Sequence, residues 1–276
     1  DDTFLFADGA ELNGNVDGDI GSDTLSFSGI TNAVDLALTG LGNDNGFAGN
    51  DGAVAFNGFD NINSLVGNGP STATLTGLNS DSVWTVAALG TYAAQSRSVG
   101  ISQFGVLNGG DQVDTFNVTE TITIDINAGS EDDSVNIGAG ATLTGAVTGG
   151  ADDDSLTLAD NGVLVGSFAG STGDDQVDFS ANSLAQALVL TNATAGNGFD
   201  GNTGAANYTG IESAVGGSGV SDSLTGLDNV STWTINGSGN TYLDTVSGEV
   251  FDFSGFDDAI GGLNVDTFNV LSSITI

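Results

Sequence analysis

The chain has 276 residues, and its 36 acidic groups face a single basic one, Arg97, for a net charge of -35. Phosphate binding needs Lys and Arg, so nucleic acid is excluded as a partner and an anionic membrane surface is disfavoured on the same ground. With no His, Cys or Lys, the usual nucleophile and base pairs cannot be built, disulfides and thiolate metal sites are excluded, and no apolar run reaches transmembrane length.

Short strands dominate the reading from the N-terminus onward. Asp23-Thr24-Leu25-Ser26-Phe27 sets the pattern, an acidic turn followed by apolar residues that alternate with polar ones. A loop rich in Gly and Asn follows at 43–57, then Leu75-Thr76-Gly77-Leu78 and Trp84. The acidic unit returns at Asp114-Thr115-Phe116, Asp133-Ser134-Val135, Asp154-Ser155-Leu156 and Asp175-Gln176-Val177. After a second loop at 195–209 come Asp222-Ser223-Leu224, Trp233, Asp244 and Asp266-Thr267-Phe268. Good surface helix formers are scarce while Val, Ile, Thr and Phe are common, and 44 glycines with one proline suit constant turning between hydrogen-bonded strands.

A turn about every 21 residues predicts an all-β fold, a right-handed parallel β-solenoid in which stacked coils share a continuous core. A longer period is superposed on it. Asp114 to Ile124 recurs as Asp266 to Ile276, displaced by 152 residues, and Gly49, Phe56 and Gly58 pair at the same offset with Gly201, Tyr208 and Gly210. Around Trp84 and Trp233 the offset drops to 149 before returning to 152. Seven coils per long repeat are expected, with the 47-residue interval from Asp175 to Asp222 hiding one. Residues 1–276 form one continuous domain, with 1–152 a first copy and 153–276 an incomplete second. Neither end looks like a cap, so the expected partners are further copies end to end in a longer chain or filament.

The turns before the strands carry the chemistry. Asp23, Asp114, Asp133, Asp154, Asp175 and Asp266 would fall in one column along an edge, with neighbours about 5 Å apart, where like charges repel by about 1 kcal/mol in water. Hard carboxylate and carbonyl oxygens suit Ca2+, which makes these six the candidate calcium ligands. The alternative is that each Asp forms an Asx-turn, accepting from the backbone two residues on, and needs no metal.

The turns Gly109-Gly110-Asp111-Gln112-Val113-Asp114-Thr115-Phe116-Asn117, 149–157 and 261–269 resemble the hemolysin-type calcium-binding repeats of RTX toxins and giant bacterial surface adhesins. One such turn occurs per coil where that family has tandem nonapeptides, which limits calcium to one edge. The resemblance implies an exported protein of a bacterial cell surface or biofilm matrix.

Three functions follow as expectations. The first is a structural repeat of a long extracellular fibre or giant adhesin. The second is an adhesin whose loops 43–57 and 195–209 bind surface glycans, for which solvent-facing aromatic residues would speak. The third, a polysaccharide-active β-helix enzyme, is disfavoured because such enzymes rely on basic or imidazole groups absent here. Ice binding would need a regular Thr rank, yet Thr121-Ile122-Thr123 becomes Ser273-Ile274-Thr275.

Overall fold

The computed structural model describes all residues except 13, 53–57, 70–72, 220, 238 and 272–276, so Ser273-Ile274-Thr275 and part of the first loop lie outside the described residues. The described residues form strands and turns without a helix. The strands assemble into two long sheets of fifteen strands each, and the chain passes from one sheet to the other as it advances.

Most neighbouring strands are parallel, in the register that the period of about 21 implies. Ser134 to Ile137 pairs residue for residue with Ser155 to Leu158, and Thr142 to Thr148 with Val163 to Ala169. Inward positions along each strand are apolar and fill one continuous core between the sheets.

The antiparallel pairs among the described residues fall in four three-stranded meanders. Val34–Leu41, Phe47–Asp51 and Gly58–Ile62 form the first, and Ser82–Val86, Gly90–Ala94 and Arg97–Ser102 the second. Ala187–Ala193, Phe199–Asn202 and Ala206–Ile211 form the third, and Ser231–Ile235, Asn240–Asp244 and Val250–Ser254 the fourth. Each meander runs backwards. In the second, Ser82–Val86 pairs with the strand of the following pass, Asp114–Val118, while Arg97–Ser102 pairs with the preceding one, Ser64–Val66. The chain overshoots by two rungs and fills the gap with short hairpin turns, which antiparallel neighbours allow and parallel ones do not.

Meanders change the count of coils. Thr3–Ala7 and its counterpart Ser155–Leu158 stand eight rungs apart in the first sheet. The chain visits that sheet six times over this span, and the meander adds two rungs, so seven equal coils is corrected to six passes and eight rungs. The sequence markers also mixed two sheets. Asp222 opens a strand of the second sheet and Asp244 ends the middle strand of a meander, while the residue that opens the hidden rung after Asp175 is Glu212.

The register slip starts earlier than the sequence alignment placed it. Gly49 pairs with Phe59, and Gly201 with Tyr208, so Tyr208 corresponds to Phe59 rather than Phe56, and the offset of 149 begins within the first loop. The return to 152 occurs in the two turns of the second and fourth meanders, because Tyr92 faces Trp84 and Val99 just as Tyr242 faces Trp233 and Phe251.

Both tryptophans are fully buried in a packing role. Trp84 stacks on Phe116 with centroids 5.2 Å apart, and Trp233 on Phe268 at 5.2 Å. Tyr92 and Tyr242 meet them edge-on, and their hydroxyls accept the backbone N–H of Leu78 and Leu227 at 2.9 Å. Gly77 and Gly226 make room for this: a Cβ at either would lie under 3 Å from the indole ring.

Candidate functional site

The first-sheet strands at Thr24–Gly29, Asp114–Val118, Ser134–Ile137, Ser155–Leu158 and Gln176–Asp178 each follow a glycine-containing turn and one carboxylate residue at the junction. The turn bends through left-handed positions such as Glu131 at φ 69° and Asp152 at φ 75°, which brings the last residue of the turn inward. Asp23, Asp114, Asp133, Asp154 and Asp175 are accordingly buried, with no more than 3% exposure.

The buried carboxylates Asp133, Asp154 and Asp175 hold the backbone of the rung before them. Asp114 N–H donates to Asp133 Oδ1 at 2.7 Å, Asp133 N–H to Asp154 Oδ1 at 2.9 Å, and Asp154 N–H to Asp175 Oδ1 at 2.8 Å. The ladder continues through residues that the acidic motif missed. Asp175 N–H donates to Glu212 Oε2 at 2.7 Å, and Asp23 N–H to Asn63 Oδ1 at 3.0 Å. The signal was present in Glu212-Ser213-Ala214-Val215 and Asn63-Ser64-Leu65-Val66, which keep the polar, hydroxyl, apolar order with a different first residue. Where a meander interrupts, a serine hydroxyl replaces the N–H: Ser82 Oγ donates to Asp114 Oδ1 and Ser231 Oγ to Asp266 Oδ1.

A second ladder runs one residue earlier on the solvent side and in the opposite sense. Asp153 N–H donates to Asp132 Oδ1 at 3.0 Å and Asp174 N–H to Asp153 Oδ1 at 2.8 Å. The second sheet has a shorter version, in which Gln186 N–H donates to Asp222 Oδ1 at 2.6 Å and Asp222 N–H to Asp257 Oδ2 at 3.0 Å.

The other oxygen of the buried carboxylates has no partner. Oδ2 of Asp23, Asp114, Asp133, Asp154, Asp175 and Asp222 is shut away from water without a hydrogen bond. Burial pushes the carboxyls of Asp133, Asp154, Asp175 and Glu212 up to about 7. Asp114 rises to about 6, again from burial, with the Ser82 hydroxyl and the Trp84 indole pulling against it.

This geometry bears on calcium. One oxygen of each ladder carboxylate is taken by an amide or a serine hydroxyl, and the other lies close to backbone in several: a Cβ at Gly109, Gly149 or Gly170 would collide with Oδ2 of Asp114, Asp154 or Asp175. Calcium takes six to eight oxygens at about 2.3–2.6 Å, and none of these carboxylates keeps both of its oxygens free for such a shell. Nor do three carboxylates converge as a metal group among the described residues. Of the six calcium candidates, Asp23, Asp114, Asp133, Asp154 and Asp175 stand together as this inward-facing ladder, and Asp266 stands half-buried at the last described rung, its Oδ1 accepting from Ser231 Oγ. The Asx-turn alternative is modified, since the ladder amides lie a whole pass away along the chain rather than two residues on.

The one basic side chain sits beside this edge. Arg97 donates through its guanidinium to the carbonyls of Gly42 and, at 3.2 Å, Gly46, in a turn of the first meander. Its counterpart in the second copy is Glu249, whose Oε1 accepts Gly196 N–H at 2.7 Å from the equivalent turn. In the first copy the matching amide, Asp44 N–H, is capped by Asn61 Oδ1 at 2.7 Å, and Asn61 corresponds to Gly210. Both residues hold left-handed backbone, at φ 58° and 59°.

No family model, curated protein or solved structure matches this chain.

Proposed function

We propose that the chain is a load-bearing segment of a long extracellular fibre on a bacterial surface, wound as a right-handed parallel β-solenoid whose rungs run on from copy to copy. The observation that carries this reading is the eight-rung translation between copies. Under it the interlocking contacts recur: Ser82 to Asp114 becomes Ser231 to Asp266, and Leu78 to Tyr92 becomes Leu227 to Tyr242. A unit that repeats its own contacts by translation can be extended without inventing new ones. The handedness follows the strong preference of parallel crossovers.

Two further features support a passive role outside the cell. A single basic residue leaves trypsin-like proteases only Arg97 to cut, and that side chain is engaged. The described aromatic residues of loops 43–57 and 195–209 are Phe47, Phe199 and Tyr208, all buried, so they offer no stacking platform for a sugar and speak against the glycan-binding adhesin.

Chains of one, two and three tandem 152-residue copies test the reading. Electron microscopy should give rods of constant width that lengthen by about 38 Å per copy, eight rungs at about 4.8 Å. Separate beads on a string, or a compact particle that binds a defined glycan, would reject it.

A further inference from the structure

We propose that the outer face of the first sheet is a contact surface on which a second copy of this chain lies side by side with the first. The proposal concerns the flank of the rod, and it stands whether or not the rungs continue end to end.

The observation is where the charge is not. From the strand Arg97–Ser102 to the strand Ser213–Val215 the first sheet presents eight rungs in unbroken sequence. Its outward positions form two rows, one through Val83, Thr115, Ser134 and Ser155, the other through Thr85, Asn117, Asn136 and Thr157. Continued over the eight rungs, these two rows hold one charged residue, Asp178. The acids stand instead at the margins, with Asp81, Asp132, Asp153 and Asp174 along one and Glu120 and Asp160 along the other. On a chain of net charge -35 this is a strip where a like-charged copy can come close while burying few carboxylates.

The chemistry of the strip suits such a partner. Hydroxyls and amides predominate, with Asn136 Nδ2 donating to Asn117 Oδ1 at 3.2 Å, and each amide keeps further donors and acceptors for a facing row. Beside the second meander the margin of the strip dips into a shallow groove where Val83 and Val113, both more than 40% exposed, stand with Asp81 and Arg97, so an apolar contact lies next to one charge of each sign. Eight rungs by strands about 15 Å long cover roughly 600 Å² per copy, about 1,200 Å² in all, within the range of specific interfaces. The outward positions carry no aromatic ring on which a sugar would stack, so the strip favours protein over polysaccharide.

Sedimentation velocity and small-angle scattering of the 276-residue chain test this at about 0.02 M and about 0.3 M salt, where the acidic margins are unscreened and screened. Association should appear at the higher salt and should enlarge the cross-section of the particle. Ser134→Asp with Ser155→Asp should weaken it by at least about tenfold, while Asn127→Asp with Thr148→Asp on the outer face of the second sheet should not. Circular dichroism and melting verify that both variants fold. A chain that stays monomeric at high salt, association that lengthens the particle without thickening it, or a face variant that associates as tightly as the parent overturns the proposal. Retention on insoluble cellulose or chitin that only the face variant loses would assign the strip to a neutral polysaccharide instead.

Discussion

Asp154 shows how one side chain can both lock and weaken a rung. Its Oδ1 holds the Asp133 amide, and its Oδ2 is buried without a partner, which burial answers by raising the carboxyl from 3.8 to about 7. A carboxyl raised on folding takes up a proton, so its stabilisation is complete below about pH 4 and is lost as the pH climbs through 7. Asp154→Asn keeps an oxygen for the Asp133 amide without a charge to bury. Its melting temperature should exceed that of the parent by a few degrees at pH 8, roughly 2–4 °C per kcal/mol gained, and match or fall below it at pH 5. An equal shift at both values would show that charge is not the cause. The exchange of Asn61 and Arg97 for Gly210 and Glu249 makes a second test. Arg97→Glu alone strands the Gly42 and Gly46 carbonyls and places an acid beside an amide already capped, at a cost of about 1–3 kcal/mol. Adding Asn61→Gly frees that amide for the new Glu, so a double-mutant cycle in urea should return a favourable coupling.

Among the elements, the meanders are where packing is least forgiving. Gly77 and Gly226 lie against the Trp and Tyr rings of the second and fourth meanders, and Gly77→Ala should destabilise by about 1–3 kcal/mol through overpacking, with a red-shifted tryptophan emission. The strands themselves were legible in the sequence, because alternation at Leu25/Phe27, Phe116/Val118 and Val135/Ile137 fixes which face is buried. Their direction was not. A reversed strand such as Gly90–Ala94 keeps the same period of two and the same turn residues as a parallel one, so nothing local marks Tyr92 as lying on an antiparallel rung. The carboxylate column was legible as a column, but an Asp at the junction of turn and strand reads alike whether it points out to a cation or in to an amide. Glu212 and Asn63 escaped for a related reason: the ladder needs an acceptor oxygen, which the acidic motif equated with Asp.

For the molecule as a whole, electrostatics and core pull against each other. Repulsion within a net charge of -35 adds to the cost of ionising Asp133, Asp154, Asp175 and Glu212, all raised to about 7. Both terms have the same sign, so the melting temperature should rise when the pH is lowered from 8 to 5, and added monovalent salt should help more at pH 8 than at pH 5. Because the ladder carboxylates already meet protein donors, excess EGTA at constant ionic strength should leave the melting curve unchanged. A fall would speak for a bound cation.

The backward-running meanders also bear on how these two sheets come into being. A parallel rung can form only after the chain has made a full circuit, and that loop must be closed before any contact repays it. A meander asks for much less. Ser82 to Ser102 brings three rungs together across two tight turns, with Trp84 and Tyr92 already in contact. Four such segments, two in each copy, are local seeds around which the slower circuits can wind. Refolding kinetics should then divide by region: substitutions in the cores of the meanders slow folding, whereas substitutions at Val135, Leu156 or Val177 in the plain coils chiefly hasten unfolding.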